Sequence, residues 1–260
     1  MTANVSDSSS SNRIKAAEKA FNIIETLQDL DGCGVKELAD QRDIPKSTAH
    51  VYLKTLQDTG YVVKRDQEYH LSLRFLKHGG YVRHHLEVYQ ASREKIDELS
   101  RVTGEVATVG FEEGGLRVLL YRTEPAEAIS DNAPTGEHTR MHWTALGKAL
   151  LSQLSDDKIH DIVAQYGLPE ATENTITDGQ TLLNEVEKIR SQGYAIENEE
   201  RVMGIKSLAV PITDLDGSAG NAAISIAGPK REFGKDRIET ELLPEIQNTT
   251  NHIELRTNYY

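Results

Sequence analysis

Apolar residues recur at helical spacing from Ile14 to Asp31: Ala16, Ala20, Ile23, Ile24, Leu27 and Leu30 share one stripe. Asp31-Gly32 ends that helix. A shorter amphipathic helix follows over Val35–Gln41, with Val35, Leu38 and Ala39 facing inward. Arg42-Asp43-Ile44-Pro45 reads as a turn, and Pro45 with Ser47 or Thr48 suits a helix start. The next helix, Lys46–Asp58, buries Ala49, Tyr52, Leu53 and Leu56, and Thr59-Gly60 closes it. The period then changes. Tyr61–Lys64 and Glu68–Leu71 read as strands with Arg65-Asp66-Gln67 at their tip. Helix, helix, turn, helix and hairpin is the order of a winged helix-turn-helix, here spanning Gly34–Asp66.

Leu73–Leu99 reads as a long connecting helix interrupted at Gly79-Gly80. Beyond Thr103, Val106–Phe111 and Arg117–Thr123 form a strand pair, with Ala126–Asn132 as a third strand. Helices are predicted over Trp143–Leu154 (capped by Thr144), Asp156–Tyr166, Asp178–Gln192 and Phe233–Ile253. Strands are predicted over Gly193–Asn198, Lys206–Thr213 and Ala222–Ile226, with Gly217 and Gly220 in the last turn. Strands and helices mix without strict βαβ alternation. That predicts an α+β fold: an N-terminal winged helix-turn-helix, a linker helix, and a C-terminal domain with an antiparallel sheet. The expected divisions are a disordered Ser-rich tail over 1–12, a DNA-binding domain over 13–74, a linker over 75–92 and a second domain over 93–260.

Charge divides the chain the same way. The net charge is −12, yet residues 1–78 hold 11 basic and 11 acidic side chains, so the whole surplus lies beyond them. Phosphate neutralisation drives nucleic-acid binding, so only the N-terminal part is a credible nucleic-acid face. From Pro45 to Arg65, four Lys and Arg face only Asp58. The candidate DNA contacts are Lys36, then Lys46, Ser47, Thr48, His50, Val51 and Lys54 on the second helix of the motif, and Lys64 and Arg65 on the wing. A winged helix that binds only protein is the alternative. The acidic surplus suits a halophilic host, against which stand 14 lysines. No apolar run is long enough to cross a bilayer, and the N-terminus has no signal-peptide pattern, so a cytoplasmic protein is expected.

The run Pro45–Gly79 (PKSTAHVYLKTLQDTGYVVKRDQEYHLSLRFLKHG) resembles the IclR-type transcription regulators. The likeness continues through TGEVATVGFEEG (Thr103–Gly114), RMHWTALGKALL (Arg140–Leu151), TENTITD (Thr172–Asp178), IRSQGYAIENEERVMGIKSLAVPI (Ile189–Ile212) and AAISIAGP (Ala222–Pro229). It implies a linker helix that dimerises, a GAF-like effector domain, a homodimer or homotetramer on a palindromic operator, and a small, often carboxylate, effector. Two positions depart from the family: Val51 stands where Arg is frequent, and Ser207 where Cys is frequent.

Met141–Leu151 is the candidate effector segment. Thr144 caps a helix whose first turn, Ala145-Leu146-Gly147, offers free N–H groups, and its small residues let a carboxylate approach. Ser207 and Ser225 supply hydroxyls from strands facing the same cavity. The resemblance adds Glu197 and Asp131 at its edge. An acidic group there points to a hydroxylated effector, an organic or sugar acid. The plainer account makes Glu197, Glu199 and Glu200 a solvated acidic turn and Thr144 only a cap.

Other chemistry is not assembled. His84-His85, His138 and His142 lack nearby cysteines, so structural or capping roles are expected and no metal. Cys33 stands alone in a turn. No nucleophile elbow, phosphate loop or acid–base pair is present, so neither catalysis nor a cofactor is expected.

Overall fold

The computed structural model describes residues 14–125, 133–213 and 220–258. The predicted tail, Met1–Asn12, the predicted strand Ala126–Asn132 with Asp131, and Gly217 lie outside the described residues. Contacts divide the chain between Tyr81 and Val82 into two compact units.

The smaller unit holds α1 (Lys15–Asp29), α2 (Val35–Gln41), α3 (Lys46–Asp58), β1 (Val62–Arg65) and β2 (Glu68–Leu71). Ile23 and Leu27 of α1, Leu38 and Ala39 of α2, Ala49, Leu53 and Leu56 of α3, and Val62 and Tyr69 of the hairpin form one core. Ala16 is exposed, so only the later turns of the α1 stripe pack. Arg42, in the turn between α2 and α3, donates to Thr26 Oγ1 and to Asn22 O of α1. Its charge therefore fastens the helices to each other. The wing is antiparallel, with Arg65 opposite Glu68. Asp66 turns the tip at φ 53°, a conformation Asp tolerates better than most residues. Cys33 and Tyr69 exchange backbone bonds of 2.9 and 3.1 Å, tying the hairpin to the end of α1. Gly32 makes this possible: it sits at φ 105°, and a Cβ there would lie 2.1 Å from the His70 ring.

α4 (Arg74–His84) and α5 (Glu87–Thr103) replace the single predicted connector. Gly79-Gly80 does not interrupt it. Both glycines are helical, at a cost of about 1 kcal/mol each relative to Ala. The break falls at His85-Leu86, where Gln90 Nε2 donates to His84 O over 2.8 Å and ends α4.

The larger unit is built on a six-stranded antiparallel sheet, in the order β5-β4-β3-β8-β7-β6. Its strands are β3 (Val106–Glu113), β4 (Leu116–Thr123), β5 (His138–Thr139), β6 (Ala195–Asn198), β7 (Ile205–Ile212) and β8 (Ala222–Pro229). Alternate side chains face opposite ways. Ala107, Val109, Leu208, Val210, Ile224 and Ile226 pack with Ile96 and Leu99 of α5 and with Ile246 and Ile253 of α10 (Leu243–Asn258). α10 is entered from the short α9 (Lys235–Arg237) through a wide π turn, Ile238–Leu242. On the other face, Ala209 and Ala223 pack with α6 (Ala145–Leu151), α7 (Asp156–Tyr166) and α8 (Gly179–Gln192). α6 is shorter than the predicted Trp143–Leu154, because Met141–Trp143 forms a tight turn before it. Thr144 caps it as expected, accepting from Gly147 N at 3.0 Å.

Candidate functional site

In the smaller unit, α3 starts from Pro45, whose side chain cannot cap. Its first N–H groups are therefore unclaimed by a cap, which suits phosphate binding at the helix N-terminus. Lys46, Ser47, His50, Val51 and Lys54 are exposed along this helix, and Thr48 is half-buried. Val51 is 61% exposed, an apolar group presented to solvent. Lys54 is held by Asp58 at 2.8 Å on its own helix, which raises the lysine pKa through that hydrogen bond. Its charge is thus largely balanced locally. Lys64 and Arg65 are exposed on the wing, and Lys64 Nζ lies 5.3 Å from the Tyr69 ring centre. Lys36 is exposed on α2 beside Glu37 and Asp40.

In the larger unit, a cavity of about 90 Å³ lies on the α6 side of the sheet. That is room for a small organic molecule, since one water needs about 10–15 Å³. Two cross-strand rows make its floor. One sets Arg122 of β4 beside Thr108 of β3 and Ser225 of β8. The other runs from Val106 of β3 through Ala227 and Ser207 to Glu197 of β6. Small side chains at Ser207, Ser225 and Ala227 leave the space open. Arg117, Leu119, Thr144, Leu146 and Arg201 complete the wall.

The structure thus brings Thr144, Leu146, Glu197, Ser207 and Ser225 to one cavity. Met141 and Ala145 are not among its lining residues. Met141 is 2% exposed and Ala145 0%, and both belong to the core between α6 and its neighbours. The small residues of α6 also have a different purpose from the expected one. A Cβ on Gly147 would lie 2.1 Å from Met141 O, so the backbone of the preceding turn occupies the space. With seven residues and one N–H taken by Thr144, α6 is a weak anion site.

Charge comes instead from Arg117, Arg122 and Arg201, which the sequence reading did not identify. Arg117 Nη2 donates to Glu137 Oε2 at 2.8 Å, and Arg117 Nε to Thr139 Oγ1 at 2.7 Å. Arg201 Nη2 reaches Glu137 Oε1 at 3.3 Å. Arg122 reaches the cavity because of a β-bulge. Val109 pairs with Tyr121, and Gly110 with Leu119, so Leu120 is extra and reverses the alternation beyond it.

The acidic corner is not a solvated turn. Glu197 is 2% exposed and Glu200 8%. Glu197 accepts from Ser207 Oγ at 2.8 Å, from Glu200 N at 2.7 Å and from Arg201 N at 3.4 Å. Glu200 accepts both bonds of Lys148 Nζ, at 2.7 and 2.9 Å. Burial pushes the Glu197 carboxyl above its ordinary 4.5, against the lowering effect of the hydrogen bonds it accepts. The folded state therefore holds this proton more tightly than the unfolded chain. Its contribution favours folding at low pH and is lost as pH rises through and above 4.5. Glu197→Gln removes the titration. The melting temperature of the variant minus that of the wild type is expected to increase between pH 4.5 and neutrality. A difference that stays flat with pH would contradict the buried carboxyl.

The histidines serve packing and local bonding. Buried His142 Nε2 lies 3.1 Å from Pro169 O, and burial lowers its pKa. His138 Nδ1 lies 2.8 Å from Gly136 O. Among the described residues no cluster of His, Cys, Asp or Glu could hold a metal, and no helix is long and apolar enough to cross a membrane.

Comparison with known proteins decides the lineage. Residues 16–66 match the IclR helix-turn-helix domain, and residues 80–255 match the bacterial transcriptional regulator IclR C-terminal domain. The chain belongs to the IclR family of transcription regulators. It is 31% identical over 228 residues to the HTH-type transcriptional regulator BhcR of Paracoccus denitrificans, covering 86% of this chain and 81% of that one. It is 31% identical to the HTH-type transcriptional repressor AllR of Escherichia coli over 230 residues, 87% of this chain and 84% of that one. It is 28% identical to the probable regulator ArcR of Halobacterium salinarum, over 94% of each chain. The fold matches the crystal structure of Thermotoga maritima IclR with a TM-score of 0.77 and 26% identity, over 95% of this chain and all of that one. An IclR homologue from Microbacterium hydrocarbonoxydans complexed with 4-hydroxybenzoate shares the fold, with a TM-score of 0.77 and 18% identity over 93% of this chain and 100% of that one. The chain is thus a DNA-binding regulator of transcription, with the α+β fold expected from its sequence.

Proposed function

We propose that the cavity binds a small hydroxylated carboxylate and that this binding controls operator affinity. The carrying observation is the opposition of charge across one cavity: Arg117, Arg122 and Arg201 against the buried Glu197. Guanidinium groups recognise carboxylates with fork geometry. Glu197 takes a ligand hydroxyl as a hydrogen-bond donor, and Thr108, Thr144, Ser207 and Ser225 supply further polar contacts. The 4-hydroxybenzoate on the Microbacterium homologue carries both groups, a carboxylate and a hydroxyl.

On the DNA side, α3 enters the major groove. Lys46, Ser47 and Thr48 meet phosphates and base edges at its N-terminus, and His50 and Val51 face bases. Lys36, Lys54, Lys64 and Arg65 lie at the flanks. Residues 13–74 form the DNA-binding domain, 75–92 the dimerising connector and 93–260 the effector domain. The regulator acts as a homodimer or homotetramer on a palindromic operator, in the cytoplasm. The acidic surplus and the Halobacterium relative favour a halophilic archaeal source.

Ser225→Leu tests the cavity. Leu adds carbon atoms to a floor that is polar and small in the wild type. The variant is expected to bind the selected operator with wild-type affinity and to lose the response to a carboxylate effector by tenfold or more, roughly the cost of excluding one charge-assisted contact. Gel-shift titration with and without effector reads both quantities. A wild-type response in the variant would place the effector elsewhere.

A further inference from the structure

The cavity arginines already hold a carboxylate of the chain itself. Glu137 gives one oxygen to Arg117 and the other to Arg201, at 2.8 and 3.3 Å. Arg117 has only 5% of its side chain exposed, so this contact is largely withdrawn from solvent. Both arginines also line the cavity. Any anionic ligand that approaches them meets a rival tethered nearby, whose effective concentration is far above that of a free metabolite.

The segment that carries Glu137 is built to move. It ends in β5, a two-residue strand at the outer edge of the sheet. β5 pairs with β4 only through Arg117–Thr139 and Val118–His138. Two further backbone bonds, Gly136 N to Leu119 O and Leu119 N to Glu137 O, fasten it at 2.8 and 3.0 Å. So short an edge strand depends on its side-chain anchors: Glu137 and Thr139 are both bonded to Arg117, and exposed His138 lies 3.5 Å from Glu113 of β3. Edge segments with few ladder bonds open at low free energy.

We infer that Glu137 is an internal competitor for the effector: the incoming carboxylate takes its place on Arg117 and Arg201, and its displacement frees the edge segment 133–139. Exchange keeps the buried Arg117 and the half-buried Arg201 paired with a carboxylate throughout, so no unpaired buried charge is created. The swap makes Glu137 a specificity-determining residue. A ligand must present two acidic oxygens to replace both contacts, and neutral molecules of the same shape are rejected. It also gives the site an output, since strand β5 is ordered by Glu137 in the state described here. The inference rests on the carboxylate reading of the cavity.

The full-length protein and its Glu137→Gln variant, which keeps the side-chain shape and removes the charge, are titrated by calorimetry with sodium acetate, pyruvate, 4-hydroxybenzoate and gluconate. Amide hydrogen exchange of residues 134–139 is followed in parallel. At least one of these acids is expected to bind the variant more tightly than the wild type, on the order of tenfold, because the rival is gone. Exchange at Gly136 and Glu137 is expected to quicken when the wild type binds, and to be quick in the variant without ligand. Equal or weaker binding by the variant, or a segment that stays protected in the bound wild type, overturns the role of Glu137 and leaves the cavity reading standing. Failure of every acid to bind either protein overturns the cavity reading, and this inference with it.

Discussion

Replacing Lys148 by methionine is expected to lower the stability of the larger unit by about 3–5 kcal/mol, the usual cost of leaving a buried carboxylate without its partner. Lys148 is 1% exposed, one of the largest fully buried side chains among the described residues. Its ammonium donates to both oxygens of Glu200 and lies 3.6 Å from Glu185 of α8. Methionine fills the volume of the stem but offers no charge. Glu200 would then remain buried beside Glu197, which already feels it as a like charge. The loss would spread, because Glu200 fixes three neighbours: its N–H donates to Glu197, and its carbonyl accepts from Thr175 Oγ1 at 2.6 Å and from Thr172 Oγ1 at 3.3 Å. Fluorescence of Trp143, the only tryptophan, follows the melting of this unit alone. The double variant Lys148→Met/Glu200→Gln should recover most of the loss, since the unpaired charge goes with it. Wild-type melting in the single variant would show that the pair does not act as a buried ion pair.

That buried pair shows where the sequence was legible and where it was not. The recognition helix announced itself through local pattern: Ala49, Leu53 and Leu56 at helical spacing, a proline before them and a hairpin after. Thr144, three residues ahead of the N–H it caps, was readable for the same reason. Ser207 and Ser225 were readable too, being polar residues at inward positions of otherwise apolar strands. Arg122 was not, because strict alternation along β4 turns it away from the face of Arg117 and Leu119. Only the bulge at Leu120 turns it back, and nothing in LRVLLYRT marks a bulge. Glu197, Glu199 and Glu200 look solvated as a run of acids. Glu200 pairs with Lys148, 52 residues away, and Glu199 with Lys230, 31 residues away, while Glu197 is held by Ser207 across the β6–β7 pair. Gly79-Gly80 misled in the opposite sense: a glycine pair weakens a helix, yet Gln90 bonding to His84 O decides where this one ends. Features that the linear pattern does not display, such as a bulge, a tight turn or a contact across the sheet, account for the corrections, while local spacing accounts for the helices and the cap that the structure reproduces.

The second large effect concerns DNA, where two positions on α3 are expected to fail in different ways. Lys46 is the first residue of the helix and fully on its solvent side, where a phosphate would lie. Lys46→Ala should weaken binding to every DNA sequence alike, and should reduce the slope of log affinity against log salt by about 1 per copy bound. His50, one turn further on, is exposed on the same helix, and in the proposed docking it faces base edges. His50→Ala should cost about 1–3 kcal/mol on the preferred operator and little on random DNA, so that discrimination narrows at one position of each half-site. The combined variant should therefore approach non-specific affinity. Helix content should not change, since neither side chain belongs to the core of Ile23, Leu38, Ala49 and Leu53. Selection of an operator from random duplexes, followed by salt titration of each variant, separates the two losses. Equal salt slopes for wild type and Lys46→Ala would remove Lys46 from the phosphate contacts. An unaltered preference in His50→Ala would turn the base-reading face toward Ser47 and Val51, the other exposed side chains of the same two turns. With Lys54 tied to Asp58 and Arg42 tied to α1, the positive charge offered to DNA rests on the exposed Lys36, Lys46, Lys64 and Arg65.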